Sequence, residues 1–194
     1  MKIKDAVFTA ATFLQLDGIT EGMEAESFDA AAPEGTLSNE DARELALLLR
    51  CCNLVIGELA GAAFPLKKTK EVQSVDGKIA YASLDGEVLD IYAVEQGGAR
   101  LPFDEFFDCV MVPVRGNCRV TYSVSPRAVT LDAQSPFAGN RPSARLIAYG
   151  IAREYCLISG RVEDAATWDG RFLAGVEEEA RKKGELRIRP RAWK

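Results

Sequence analysis

The residues most capable of chemistry in this sequence lie close together near its C-terminal end. Residues 148–172 read AYGIAREYCLISGRVEDAATWDGRF, so that Tyr155 stands beside Cys156 and several acids and arginines follow. A thiol and a phenol near carboxylates could serve a nucleophilic or an acid–base reaction. The sequence contains no histidine, however, which excludes Ser-His-Asp and Cys-His arrangements and histidine metal sites.

The five cysteines are an odd number and show no spacing typical of a metal site. Cys51 and Cys52 are adjacent, Cys109 and Cys118 lie in strand-like segments, and Cys156 lies among apolar neighbours. We interpret all five as buried, reduced thiols, which indicates a reducing compartment. The sequence therefore predicts no catalytic residue, no metal site and no cofactor. One alternative function is a thiol-dependent enzyme based on Cys51 and Cys52, although the sequence places no base beside these two residues and contains no P-loop.

Composition and charge favour a chain with its own core and two oppositely charged ends. A length of 194 residues with 47% apolar content suits one domain, or one domain that carries an insertion. The absence of a long apolar run predicts no membrane span, and the amphipathic start of the chain predicts a cytosolic protein. Residues 1–47 carry three bases and ten acids, a net charge of −7, whereas residues 181–194 carry seven bases and one acid, a net charge of +6.

Helical periodicity dominates the first third of the chain. Apolar residues at three- and four-residue steps predict a helix over 3–16. Ser38 and Asp41 occupy capping-box positions and predict a long second helix that ends near Gly61. Between these helices, residues 17–36 are acidic, rich in alanine and interrupted by glycine and proline, which favours a long mobile loop.

The apolar period changes to two after residue 66, which is typical of strands. Asp76-Gly77 and Asp85-Gly86 predict tight turns between consecutive strands, and Arg115-Gly116-Asn117 predicts a further hairpin. Residues 118–124 alternate apolar and polar side chains, so one face of that strand should be buried and the other exposed. Residues 97–109 are predicted to form a loop with three exposed aromatic side chains, Phe103, Phe106 and Phe107.

Two further helices are predicted over about 142–158 and 162–183, separated by Ser159-Gly160. The first is apolar nearly all round and should be buried, while the second should bury a stripe that includes Val162, Phe172 and Leu173. The chemistry-bearing stretch is thus predicted to be an αα-hairpin with core aromatics, an inert Cys156 and charged residues that pair at the surface.

This order of elements predicts an α+β fold. The fold would be a small helical bundle, with two N-terminal and two C-terminal helices, an inserted antiparallel β-meander and an extended basic C-terminal tail. The bundle would comprise residues 1–66 and 140–184, the β-rich insertion residues 67–125, and the tail residues 185–194. Residues 126–139 would form a loop between the insertion and the bundle.

The arrangement resembles the head–tail adaptor, or connector, proteins of tailed bacteriophages and prophages. That group includes the tubular tail protein A of short-tailed phages and the head-completion proteins. The resemblance rests on the helix order, the β-meander and residues 146–194, in which the αα-hairpin precedes RIRPRAWK. It implies a structural protein, not an enzyme, that forms a homo-oligomeric ring between the portal and the tail. The implied partners are the portal protein and tail proteins, with DNA only as passing channel content and no membrane.

The resemblance also implies a location in the bacterial cytoplasm and then in the virion neck, and a C-terminal tail that docks onto the portal. The residues assigned to this portal or subunit interface combine positive charge with apolar anchors: Arg187, Ile188, Arg189, Arg191, Trp193 and Lys194. Pro190 biases the tail towards an extended conformation. The main alternative is a nucleic-acid-binding protein whose basic C-terminus contacts phosphates, although no predicted helix carries a basic face.

Overall fold

The structure is a computed structural model, and it describes residues 1–137, 139 and 141–181. These residues form an α+β fold with five α-helices and two antiparallel sheets, which confirms the predicted fold class. The chain divides into two units. Unit 1 comprises Met1–Cys52, Thr130–Gln134 and Ala138–Lys194, and unit 2 comprises Asn53–Val129 and Ser135–Phe137.

The helices account for most of unit 1. They are α1 (Ile3–Leu14), α2 (Asp17–Glu24), α3 (Asn39–Ala62), α4 (Ala144–Ile158) and α5 (Val162–Ala180), with a short 3₁₀ helix at Pro33–Gly35. The first part of α3 belongs to unit 1 and the rest to unit 2. The four predicted helices are therefore present, with a fifth, α2, between the first two.

The segment 17–36 is not the continuous loop that its composition predicted, because α2 lies within it. Ile19 and Met23, one helical turn apart, are almost fully buried. Gly22 permits a close approach, since a Cβ atom at this position would overlap the side chain of Leu37. Burial of two side chains and close packing at a glycine therefore stabilise a helix whose sequence has little helix propensity.

Ser38 caps the start of α3, and its Oγ accepts a hydrogen bond from the Asp41 amide at 3.1 Å, as the capping pattern predicted. Among the described residues, α3 alone is long and apolar enough to cross a membrane by length and composition, with a mean hydropathy of 1.6. Core helices of soluble proteins pass the same test. The apolar stripe of α3 is buried within the protein: Leu45, Leu48, Cys51, Cys52, Val55, Ile56 and Leu59.

Unit 2 contains both sheets. In the four-stranded sheet the order is β1 (Lys67–Ser74), β7 (Gly116–Val124), β3 (Val88–Gln96) and β4 (Ala99–Leu101). In the three-stranded sheet the order is β2 (Lys78–Ala80), β6 (Cys109–Met111) and β5 (Asp104–Glu105). Every neighbouring pair of strands is antiparallel.

The Asp76-Gly77 turn between β1 and β2 is confirmed. Both residues have positive φ, 51° and 77°, and Val75 and Lys78 form a bridge across the turn. Asp85-Gly86 also stands between consecutive strands, but β2 and β3 belong to different sheets. The chain can change sheets here because a 3₁₀ helix at Tyr81–Ser83 follows β2.

The hairpin predicted at residues 115–117 is wrong, since β6 pairs with β2 and β5 and not with β7. Pro113 has no backbone N–H to donate to a ladder, and the preceding amide, Val112, donates to the Gly77 carbonyl at 2.8 Å. A tight hairpin occurs instead at Gly97-Gly98, where both φ values are positive and Gln96 pairs with Ala99. The predicted loop 97–109 therefore contains β4 and β5.

Strand β7 lies between β1 and β3 and contributes much of the core of unit 2. The predicted apolar residues of this strand, Cys118, Val120, Tyr122 and Val124, are buried. Ser123 was expected on the exposed face and is buried as well. A central strand has neighbours along both edges, so the covering of its second face was not evident from the alternation alone.

Candidate functional site

The predicted interface residues Arg187, Ile188, Arg189, Arg191, Trp193 and Lys194 lie outside the described residues, which end at Arg181. Their placement therefore stays a prediction. Three features of the described residues bear on function: the chemistry-bearing αα-hairpin, the buried thiols, and two surfaces that expose large apolar side chains.

The αα-hairpin is formed by α4 and α5, and its Tyr155 and Cys156 are both buried. The Tyr155 hydroxyl donates a hydrogen bond to Glu44 Oε1 at 3.2 Å. Burial, reinforced by the Glu44 carboxylate, raises the pKa of Tyr155 above its usual value. Burial likewise raises the pKa of the Cys156 thiol. Both groups are therefore held in their protonated forms at neutral pH.

Two more aromatic residues of the hairpin, Tyr149 and Trp168, stack with Phe13 of α1. The ring centroids lie 5.4 Å apart for Phe13 and Tyr149, 5.2 Å for Phe13 and Trp168, and 5.9 Å for Tyr149 and Trp168. The Arg171 guanidinium lies 4.7 Å from the Trp168 ring centre. This stack connects α1, α4 and α5, so its role is packing.

One arginine of this hairpin is not at the surface, contrary to the prediction. The Arg153 side chain is only 11% exposed, and its guanidinium contacts Glu154 at 2.8 Å and Asp169 at 3.2 Å. It also lies 4.6 Å from the centre of the Phe172 ring. Phe172 is buried, so the two carboxylates and the ring together compensate the burial of the charge.

All five thiols are free and buried, as predicted. Burial, with a smaller contribution from Glu154, raises the pKa of Cys51 to about 11, and burial raises that of Cys52 to about 12. A thiol with such a pKa carries almost no thiolate at neutral pH, and the thiolate is the nucleophile and the metal ligand. Among the described residues, no group of three or more Cys, Asp or Glu side chains could hold a metal ion.

The first exposed apolar surface follows the αα-hairpin and is called the hairpin patch. It consists of Leu157 and Ile158 at the end of α4, Val162 at the start of α5 and, about three helical turns further along α5, Leu173, all at least 49% exposed. In α5 only Ala165 and Phe172 are buried, so the predicted buried stripe is wrong for Val162 and Leu173. Helix α5 packs through a narrow face and leaves apolar side chains available to a partner.

The second surface is a cleft of about 510 Å³ in unit 2, called the aromatic cleft. Its walls include Tyr81, Glu87, Val88, Leu89, Phe106 and Phe107. Phe106 and Phe107 are 57% and 102% exposed, which confirms their predicted exposure. Phe103 was also expected to be exposed, but it is partly buried because it packs against the core of unit 2.

A hydrogen bond between distant residues joins the two sides of the aromatic cleft, and a local one shapes the side that carries the phenylalanines. The Tyr81 amide donates to the Asp108 carbonyl at 3.1 Å, and the Phe106 amide donates to the Cys109 carbonyl at 2.9 Å. Sequence reasoning found the two phenylalanines but missed Tyr81 and Leu89. The pairing of β2 with β6 brings Tyr81 close to the phenylalanines, and Leu89 on β3, a strand of the other sheet, lines the same cleft.

The surroundings of the aromatic cleft are acidic. Residues 81–108, which supply its lining, carry seven acids and a single base, Arg100, and one of these acids, Asp85, is paired with Lys70 of β1. Burial raises the pKa of Tyr81, and the nearby Glu105 and Asp108 carboxylates raise it further. An apolar cleft with a negative rim suits a ligand with aromatic and positively charged groups.

These surfaces have the features of protein interaction sites, namely exposed aromatic and aliphatic side chains beside charged rims. Burial raises the pKa of Tyr155 and of the Cys51, Cys52 and Cys156 thiols, which keeps these groups protonated at neutral pH. Comparison with known proteins finds no family model that matches this chain and no curated protein with significant similarity to it.

Proposed function

We propose that this protein is a structural head–tail adaptor of a tailed bacteriophage or prophage, which forms a ring between the portal and the tail. The observation that carries the proposal is the exposure of Phe106 and Phe107 beside an open cleft, with a separate hairpin patch in unit 1. A ring of identical subunits uses two different surfaces of each subunit, because each contact is heterologous. Exposed apolar surfaces of this kind mark protein contacts.

The proposed docking element is the C-terminal segment 185–194, with Arg187, Arg189 and Arg191 as charged contacts and Ile188 and Trp193 as anchors. Its partners are the portal protein, tail proteins and further copies of the chain. The protein would act in the bacterial cytoplasm during assembly and remain in the virion neck. The role is not enzymatic and needs no cofactor.

The test is co-sedimentation of the full-length protein with portal rings encoded by the same genome. We expect the protein to sediment with the portal and to appear as an added ring by electron microscopy. Deletion of residues 185–194 should abolish co-sedimentation and leave the melting temperature of the protein unchanged. An unchanged circular dichroism spectrum is the control for folding.

Two results would count against the adaptor function. The first is a full-length protein that does not associate with the portal at any salt concentration. The second is a salt-dependent shift of DNA by the purified protein that is lost on deletion of residues 185–194. The second result would favour the nucleic-acid-binding alternative.

A further inference from the structure

The aromatic cleft combines exposed aromatic side chains with excess negative charge, and the charge of the whole chain restricts what can fill it. Residues 181–194 carry seven bases and one acid, which leaves seventeen bases and twenty-eight acids in residues 1–180. The body of each subunit thus has a formal charge of −11, and its C-terminal segment has a charge of +6. Identical bodies with this charge repel one another, and a positively charged segment at the subunit contacts would reduce that repulsion.

We propose that the aromatic cleft of one copy binds residues 185–194 of a neighbouring copy. This inference rests on the proposed ring-forming function and names the surface of a neighbouring copy that would receive the C-terminal segment. The contact is heterologous, since a cleft on one subunit receives a segment from the next, and repetition of it closes a ring.

The chemistry of the segment matches the cleft group by group. Trp193 is the one aromatic residue in the segment, and a cleft of about 510 Å³ with Tyr81, Phe106 and Phe107 in its walls can hold an indole ring. Tryptophan and arginine are the residue types that contribute most to interface energies.

The arginines of the segment match the rim of the cleft. Glu87 lines the cleft, and Asp104 and Glu105 form the short strand β5 that precedes Phe106. All three carboxylates are exposed and so are accessible to a neighbouring chain. Arg187, Arg189 and Arg191 can pair with them or stack on the exposed rings.

The length of the segment allows the contact. Thirteen residues follow Arg181, and an extended chain of that length spans roughly 40 Å at about 3.3 Å per residue. A small domain is about 30 Å in diameter, so the segment is long enough to reach a neighbouring copy. The hairpin patch fits this segment less well, because its four members are aliphatic and offer no aromatic ring to stack against an indole.

The first test measures binding of a fluorescent peptide of residues 182–194 to the full-length Trp193→Ala protein. The C-terminal segment of that variant lacks its tryptophan and therefore competes less with the peptide for the aromatic cleft. We expect saturable binding that weakens as NaCl rises from about 0.05 M to about 0.5 M, because screening reduces contacts between exposed charges. The Phe106→Ala/Phe107→Ala variant should weaken binding by more than about tenfold, as expected for the loss of aromatic anchors. Leu54→Ala, which removes another exposed apolar side chain of unit 2, is the matched control and should leave affinity unchanged.

The second test distinguishes a contact between copies from a contact within one chain. The Phe106→Ala/Phe107→Ala protein keeps its segment, and the Trp193→Ala protein keeps its cleft. Each variant alone should fail to self-associate, whereas an equimolar mixture should form a one-to-one dimer by analytical ultracentrifugation. The dimer cannot extend, because only one intact cleft and one intact segment remain between the two chains.

The inference is overturned if the peptide does not bind at about 1 mM, the weak limit of specific association. It is also overturned if binding is equal in the phenylalanine variant, or if the peptide binds but the mixture stays monomeric. If the peptide fails while deletion of 185–194 still abolishes portal co-sedimentation, the inference fails and the adaptor function stands. If the peptide binds and the mixture dimerises but the full-length protein does not co-sediment with portal rings, the adaptor function is wrong and the contact between copies is supported.

Discussion

The phenol oxygen of Tyr122 accepts a hydrogen bond from the backbone amide of Asp85 at 3.0 Å. Tyr122 is fully buried on the central strand β7, and Asp85 begins the turn that leads to Gly86 and Glu87 in the wall of the aromatic cleft. Lys70 holds the same aspartate from outside, with its Nζ 2.7 Å from the carboxylate. A core side chain thus fixes the position of a surface turn.

Replacement of Tyr122 by Phe should lower the free energy of unfolding by about 1–2 kcal/mol, because the Asp85 amide loses its buried acceptor. Urea denaturation measures the change. Tyr92→Phe is the matched control. Lys67 Nζ lies 4.1 Å from the centre of the Tyr92 ring, and phenylalanine keeps that ring. Equal stability of the Tyr122 variant and the parent protein would show that the hydrogen bond contributes nothing.

Glu179 should be essential to the packing of the two C-terminal helices. Its carboxylate accepts hydrogen bonds from Ser143 Oγ at 2.5 Å and from the Ser143 amide at 2.8 Å, which ties the end of α5 to the start of α4. Glu179→Ala should lower the free energy of unfolding by about 2–3 kcal/mol, as for hydrogen bonds to a charged group. The neighbouring Glu178 is exposed, so Glu178→Ala should change it by less than about 0.5 kcal/mol.

Two buried serines on adjacent strands should respond in opposite directions. Ser123 Oγ is buried and makes no hydrogen bond with the described residues, whereas Ser74 Oγ donates to the Val114 carbonyl at 2.8 Å. Ser123→Ala should leave stability unchanged or raise it by about 1 kcal/mol, and Ser74→Ala should lower it by about 1 kcal/mol or more. A calorimetric comparison that found the larger loss at Ser123 would contradict this assignment.

The buried thiols should make the protein sensitive to alkali. In the folded state the pKa of Cys51 is raised from 9.0 to about 11 and that of Cys52 to about 12. Above pH 9 the unfolded chain releases these protons first, so their contribution to stability is complete below about pH 9 and falls as pH rises towards 11. The slope of unfolding free energy against pH should be shallower in Cys52→Ala, which removes one such group.

The same thiols should be unreactive in the native protein. At pH 8 a thiol reagent should modify all five within seconds in denaturant and should need far longer without it, because burial suppresses both thiolate formation and access. Rapid native reaction of all five would show that the helices and strands around them open readily.

Local sequence determined most of the elements themselves. The helical period and the Ser38 cap predicted α3, the period and the Ser159-Gly160 break predicted the αα-hairpin, and Asp76-Gly77 predicted its turn. These features depend on energies between residues close in the chain, such as capping, backbone preferences at positive φ and side-chain spacing. The fold class followed because such elements can cover their apolar faces in few ways.

The tertiary structure alone decided how those elements pair and which faces stay exposed. Residues 115–117 look like a hairpin turn, but the Val112 amide bonds to Gly77 and directs β6 into another sheet. Helix α2 depends on burial of Ile19 and Met23 by distant residues, and the aromatic cleft depends on Tyr81 meeting the chain near Asp108. Contacts of this kind join residues far apart in sequence, so their energies depend on the whole packed chain and leave no local pattern to read.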